Sequence, residues 1–465
     1  MITTLDRYPL QPGLLVTWRL RPAGRAPIAD RRPPSYLQEE HLRAAALSRR
    51  KGQARPSWLG TAFDLPGGCR IEDLQKTLLA FVGRHESLRS GFQFHGDHLT
   101  RFTHPASDIE LCPTVVGEFG HGGHLAAYLE PLIDEATDPL ETLLPSLFVA
   151  VIGKDATTML MASDHSRTDG YSLFLAPHEL HQLYAATVAG VEAAELAEAG
   201  SHADFSRSER HRGAEIGADH PGVLIWKDFL ANSGGRLPEF PLPRGVRPGT
   251  LPDWAGLHEQ VMTSVETDAF DAATRRCGGR FLSGLVAANA VAARELSGDE
   301  QFRTTVPVHT RTHGKWVASI GWYVNSLPVR VPMTGLRDFA DAVEATALAM
   351  RRALPAVRVP CSRAWELTGT LPLLRNMISL MDLRATPGNA RWKDWHVSGL
   401  GKPPPGDNSF FWFLRTHGGL SATAVFPETG LARHNTTRYV ARVGEILSAV
   451  ARTGNYDIAL NAISV

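Results

Sequence analysis

Two apolar runs constrain this chain more than any other feature. Residues 146–152 read SLFVAVI and residues 157–162 read TTMLMA, with only GKDA between them. Short apolar runs split by a Gly-containing turn predict a β-hairpin. The second strand runs straight into Asp164-His165, and after Gly170 the pattern becomes helical, with Pro177 in or near the first turn. α/β proteins hold reactive groups at such strand–loop–helix junctions, because the strand is rigid and its end faces a cleft.

The alternation continues along the chain. Ile71, Leu74, Leu78, Phe81 and Val82 recur at helical spacing and predict a helix over about 71–84. Further helical patterns lie at 282–296, 338–353 and 436–450, and strand-like runs at 327–333, 376–382 and 409–415. At 465 residues the chain is too long for one ordinary core and fits two domains. Residues 190–222 are polar and charged, and 237–253 carry five prolines. The reading is an N-terminal domain over 1–190, a crossover linker over 191–253 and a C-terminal domain over 254–465, each an α/β layer.

Composition narrows the function. Apolar residues make up 43% and charged residues 21%, which fits a soluble globular protein and excludes a disordered chain or coiled coil. Lys+Arg and Asp+Glu are both 48, so no global field exists to hold nucleic acid or an anionic membrane. No apolar run approaches the roughly 18 residues of a spanning helix. MITTLDRYPLQPG lacks the marks of a secretory signal, and Cys69, Cys112, Cys277 and Cys361 form no CxxC pair. A cytoplasmic protein without a membrane span or nucleic-acid partner is expected. GxxxxGK[ST], GxGxxG and GxSxG are absent. His178-Glu179-Leu180-His181 fails HExxH because residue 182 is Gln, so its histidines read as surface residues, and His85-Glu86 lacks the second His. No metal site is expected.

One segment can carry chemistry: Asp164-His165-Ser166-Arg167-Thr168-Asp169-Gly170. Histidine is the side chain best matched to proton transfer near neutral pH. Asp169 reads as a brace for the loop, and Gly170 as a position of close backbone approach or positive φ. On spacing alone, a capping Asp and a satisfied His are the commoner reading.

The segment resembles the HHxxxDG signature of the condensation-domain superfamily. That group includes the condensation domains of nonribosomal peptide synthetases and the stand-alone polyketide-associated acyltransferases. Ser35-Tyr36-Leu37-Gln38 is similar to its SxxQ element, Arg84 to Phe92 (RHESLRSGF) to its RHxxLRxxF, and Ile320 to Val331 (IGWYVNSLPVRV) to its GxxxNxLPxRV strand. Asp164 in place of the first signature His, and Trp226 followed by LPEFPLPRG, resemble the polyketide-associated branch; Asn325-Ser326 is similar to the peptide-synthetase branch.

The resemblance implies an α/β fold of two chloramphenicol-acetyltransferase-like subdomains in a V-shaped pseudo-dimer. The catalytic His would sit at their junction, in a tunnel. It implies an acyltransferase with no bound cofactor or metal. The donor acyl or aminoacyl group would ride on phosphopantetheine of an acyl or peptidyl carrier protein in trans, or on coenzyme A. A small-molecule hydroxyl or amine would be the acceptor, giving an ester or amide in natural-product (antibiotic, secondary-metabolite) or lipid biosynthesis, and a monomer is expected. His165 becomes the general base. Asp169 pairs with Arg311 to brace the loop, Asp164 is structural, and a backbone N–H near Gly170 serves the oxyanion. Arg167, Tyr171, Ser172, Trp322, Asn325 and Ser326 are tunnel positions. RHxxLRxxF is structural. The alternative is a non-catalytic recruitment domain for an assembly line, against which stand the retained His165, Asp169 and Gly170. Epimerisation or cyclisation on the same fold is a third reading, and Asp164 speaks against the epimerising type.

Overall fold

The computed structural model describes residues 2–24, 28–53, 56–193, 196–370 and 374–458. The chain forms two compact units. The first comprises residues 1–212 with 310–323 and 385–404; the second comprises 213–309, 324–384 and 405–465.

The first unit is built on a seven-stranded sheet in the order Ile2–Thr3, Ser398–Lys402, Trp58–Pro66, Ala156–Ser163, Ser146–Ile152, Gly13–Pro22, Ile109–Phe119. The outermost pair, Ile2–Thr3 with Ser398–Lys402, is parallel and the others are antiparallel. The hairpin expected from SLFVAVI and TTMLMA lies at the centre, pairing Ser146 with Ser163 and Val149 with Leu160. Its strands are continuously apolar because both faces are covered. Leu147, Val149, Val151, Leu160 and Ala162 pack under Leu125, Leu129 and Ile133 of the helix Gly122–Ala136. Phe148, Met159 and Met161, on alternate positions, are also buried. The helices Ile71–Arg84 and Gly170–Ala189 pack on each other. A small sheet (Ala29–Asp30, His98–Thr103, Ser90–His95) stands apart.

The second unit has a six-stranded mixed sheet in the order Trp254–Thr263, Gly419–Pro427, Ser409–Thr416, Asn376–Asp382, Gln301–His309, Val324–Pro332. Its core is dense in alanine along the helix Phe281–Ser297, which lets neighbouring helices approach closely, and closes on Tyr439, Val443 and Ile446 of the helix Gly430–Thr453.

Three expectations change. Residues 191–253 are not a plain linker: they carry the helices His202–Ala214 and Pro221–Ala231, while residues 194 and 195 lie outside the described residues. The first of these helices escaped the periodicity test because its buried positions include His202, Ser206 and Glu209 beside Ala203 and Phe205. The chain also does not divide by one cut, since two later segments return to the first unit. Pro177 lies well inside its helix, not in the first turn. Among the described residues, no helix is long and apolar enough to cross a membrane.

Candidate active site

The strand Ala156–Ser163 ends at a tight polar corner. Asp164 caps a single 3-10 turn, His165–Arg167, by accepting the Ser166 N–H at 2.8 Å. Asp169 then caps the helix Gly170–Ala189 by accepting the Ser172 N–H at 2.9 Å. Both carboxylates do what Asp does best at helix starts. Gly170 is the first helical residue and is not among the glycines with positive φ, so its conformation does not demand glycine.

His165 is partly exposed at this corner. Its ring lies against Trp322, with centroids 4.0 Å apart and planes 31° apart. Nδ1 is buried and has no hydrogen-bond partner among the described residues. The ring is therefore held by stacking rather than by the carboxylate that orients many basic histidines. Burial, and then the nearby His41, keep its pKa below that of an ordinary histidine. Near pH 7 the imidazole is neutral, with a lone pair available to a proton.

Asp169 is the best-satisfied carboxylate of the corner. Oδ2 accepts from Arg311 Nη1 at 2.5 Å and the Tyr323 N–H at 3.0 Å. Oδ1 accepts from Arg311 Nη2 at 3.0 Å and from the Ser172 hydroxyl at 2.8 Å. Burial alone would raise its pKa, but Arg311 outweighs burial and holds it below the usual carboxylate range. Arg311 also donates to the carbonyl of Trp316 and lies 4.4 Å over the Tyr323 ring. The pair thus fastens segment 310–323, which carries Trp322, to the signature loop.

Several positions expected to line a tunnel face inward instead. Arg167 is fully buried and donates to the carbonyls of Ser87 and Leu88 and to the Ser146 hydroxyl. It clamps the RHESLR segment to the loop; burial pulls its pKa down to about 9. Ser172 is buried, with its hydroxyl between Asp169, Arg311 and the backbone of Gly321. In the second unit, Asn325 donates to the carbonyls of Val357 and Val359 and accepts from the N–H groups of Ser326 and Cys361. Ser326 is buried beside it. These polar side chains satisfy backbone groups of the protein itself. Tyr171 is half-buried, with the Arg311 guanidinium 4.9 Å over its ring. Of the expected tunnel positions, Trp322 is the one seated against His165.

Sequence reasoning missed His41 and His202, and gave Gln38 only as part of the SxxQ resemblance. His41, on the helix Tyr36–Arg50, donates from Nε2 to Asp164 Oδ2 at 2.8 Å. Gln38, one turn earlier, donates to the Ser166 carbonyl at 2.6 Å. His202 donates to the Trp322 carbonyl at 3.0 Å, and burial, reinforced by Arg101, lowers its pKa to about 3, so it is a neutral donor. The SxxQ element is the only local hint of this network: Ser35 and Gln38 form a reciprocal capping box, and the same Gln side chain reaches the loop. Gly321 is required beneath it, because a Cβ there would stand 2.6 Å from the His202 ring and 2.7 Å from the Tyr323 ring. The histidines of His178–His181 are half-buried rather than solvated; His181 stacks on Trp395 at 3.8 Å, and burial lowers its pKa to about 4.

Comparison with known proteins identifies the family. The condensation-domain family model matches residues 51–380. The chain is 28% identical over 97% of its length to the acyltransferase PapA3 of Mycobacterium tuberculosis, covering 97% of that protein. It is 31% identical to the trehalose-2-sulfate acyltransferase PapA2 of Mycobacterium bovis over 74% of this chain and 73% of that one. A solved structure of a PapA2 acyl transferase superposes with a TM-score of 0.87 at 27% identity, covering 97% of this chain and 99% of the other. A family model spanning most of the chain, and acyltransferase relatives matched nearly end to end, lead to one conclusion: this chain belongs to the condensation-domain family and is an acyltransferase.

Proposed function

We propose that this enzyme moves an acyl group from a thioester to a hydroxyl of a carbohydrate-like acceptor, forming an ester in lipid biosynthesis. The observation that carries the reading is the neutral, partly exposed imidazole of His165 at the end of a rigid strand, stacked on Trp322. His165 takes the proton from the acceptor hydroxyl as its oxygen attacks the thioester carbonyl. The tetrahedral oxyanion draws on amide N–H groups at the start of the helix Gly170–Ala189. Collapse breaks the C–S bond, and the leaving thiolate recovers the proton from His165. The donor thiol belongs to coenzyme A or to the phosphopantetheine of a carrier protein acting in trans. A hydroxyl acceptor is favoured over an amine because a relative is named for acylation of trehalose 2-sulfate.

The test pairs acyl-coenzyme A and acylated carrier protein with trehalose 2-sulfate, following acyl loss and product by intact mass. His165→Ala is expected to lower turnover by about 10²–10⁴-fold with an unchanged circular dichroism spectrum. A folded His165→Ala enzyme that turns over like wild type removes His165 from the mechanism. Transfer to amine but not hydroxyl acceptors removes the ester.

A further inference from the structure

Beside His165 stands a second imidazole that the acyl-transfer chemistry above does not use. His41, His165 and Trp322 form a triangle of rings. His41 lies 6.3 Å from His165 and 5.7 Å from Trp322, while His165 and Trp322 touch at 4.0 Å. The His41 side chain is 22% exposed, and the Asp164 carboxylate it meets is 1% exposed. A carboxylate that deep is costly unless a cation neutralises it. Arg167, three residues on, is turned away onto Ser87 and Leu88, so His41 is the ionic partner that reaches Asp164.

We propose that His41, fixed by its ion pair with Asp164, is a positioning residue for acyl transfer: a resident imidazolium that keeps the adjacent His165 uncharged and ready to accept a proton. The charged groups around His165 are His41 from the helix Tyr36–Arg50, Asp164 from the strand end and Asp169 from the helix cap. Asp169 is neutralised by Arg311. Asp164 is neutralised by His41, and Glu40 adds to the field that favours the charged form of His41. At His165, burial and the nearby cation of His41 outweigh the opposing pull of the two paired carboxylates, and both disfavour a second positive charge. The arrangement differs from a triad, in which the carboxylate touches the base itself and makes it more basic. Here the carboxylate holds a separate imidazole, and that imidazole makes the base less basic.

This inference rests on His165 being the base, and its test is read without turnover, so the two can fail separately. Diethyl pyrocarbonate acylates imidazole only in its neutral form, and peptide mass spectrometry follows His165 and His41 individually across pH. In the wild type the His165 profile should have its midpoint below the ordinary histidine value of about 6.5. His41→Gln keeps a donor to Asp164 but removes the cation and leaves the carboxylate unbalanced. The midpoint should then rise by about one to two pH units, the size expected for a unit charge at this separation in an effective dielectric of 20–40. His41→Lys restores a cation and should return the midpoint toward wild type. Asp164→Asn removes the carboxylate and lets His41 go neutral, so both charges vanish together and the midpoint should move less than half as far as in His41→Gln. A His41→Gln profile that overlays wild type overturns the proposal. So does an equal upward shift in His41→Gln and Asp164→Asn, which a purely structural role of the pair would give. If His41→Gln fails to fold, His41→Asn takes its place: a rise of the same size is expected, and a profile that overlays wild type overturns the proposal.

Discussion

Asp169→Ala is the perturbation whose cost follows most directly from the geometry. The carboxylate is 1% exposed and its partner Arg311 is 4% exposed, so neither charge can turn to water. Removing the carboxylate strands a buried guanidinium, which costs about 3–5 kcal/mol. The Tyr323 and Ser172 amides lose their acceptor as well, at about 1 kcal/mol or more each. Some of this is recovered, because Arg311 still donates to the Trp316 carbonyl and lies over the Tyr323 ring. A net loss of about 4 kcal/mol is a large share of the roughly 5–15 kcal/mol that holds a domain together. Urea unfolding read by fluorescence should show the transition of the first unit shifted down by about 2 M, for a slope of about 2 kcal/mol per M. Hydrogen exchange locates the effect: amides in 164–172 and 310–323 should lose protection together. Asp169→Ala/Arg311→Met, which removes the stranded charge, should be more stable than Asp169→Ala alone. A single variant within 1 kcal/mol of wild type, or protection lost on only one of the two segments, would refute the reasoning.

Two further outcomes follow from the same corner. Trp322→Ala removes the ring on which His165 rests; an aromatic contact of this kind is worth about 1 kcal/mol, so kcat/KM should fall about fivefold. Trp322→Phe should recover part of that loss, and an unchanged rate in Trp322→Ala would show that the stacking is idle. Asp169 and Glu179 both titrate below the ordinary carboxylate range, each against burial, through Arg311 and through His85 and Arg84 respectively. Their contribution to stability is complete above the unfolded carboxylate value of about 4 and disappears as pH falls through the lower folded values. Circular dichroism against pH should therefore show unfolding that steepens below pH 4, and Asp169→Asn should flatten that slope.

What the sequence disclosed was local. The helix Ile71–Arg84 and the strand Asn376–Asp382 were readable to the residue, because apolar spacing repeats within a few positions. The signature loop was readable because its polar residues crowd into seven positions. Direction was harder. Arg167, Ser172 and Asn325 look like substrate contacts in sequence, yet they point inward to bind carbonyls and amides that corners and strand ends leave unpaired. His41 could not be found, since its partner lies 123 residues away and a histidine on a polar helix face carries no sign of it. The helix His202–Ala214 was hidden for a related reason: its buried face is largely polar.

The two late returns of the chain bear on how the first unit can be made or dissected. Residues 310–323 supply Arg311 and Trp322, and Ser398–Lys402 fills a place in the sheet between Ile2–Thr3 and Trp58–Pro66. A fragment ending near residue 212 would own His165 and lack both its stacking partner and an interior strand. On the ribosome the reactive corner lacks Arg311 and Trp322 until residue 323 has been made, and the sheet behind it lacks an interior strand until residue 402. Recombining such enzymes by exchanging front and back halves would therefore separate His165 from the tryptophan beneath it, and a working hybrid must carry both return segments along with the front half.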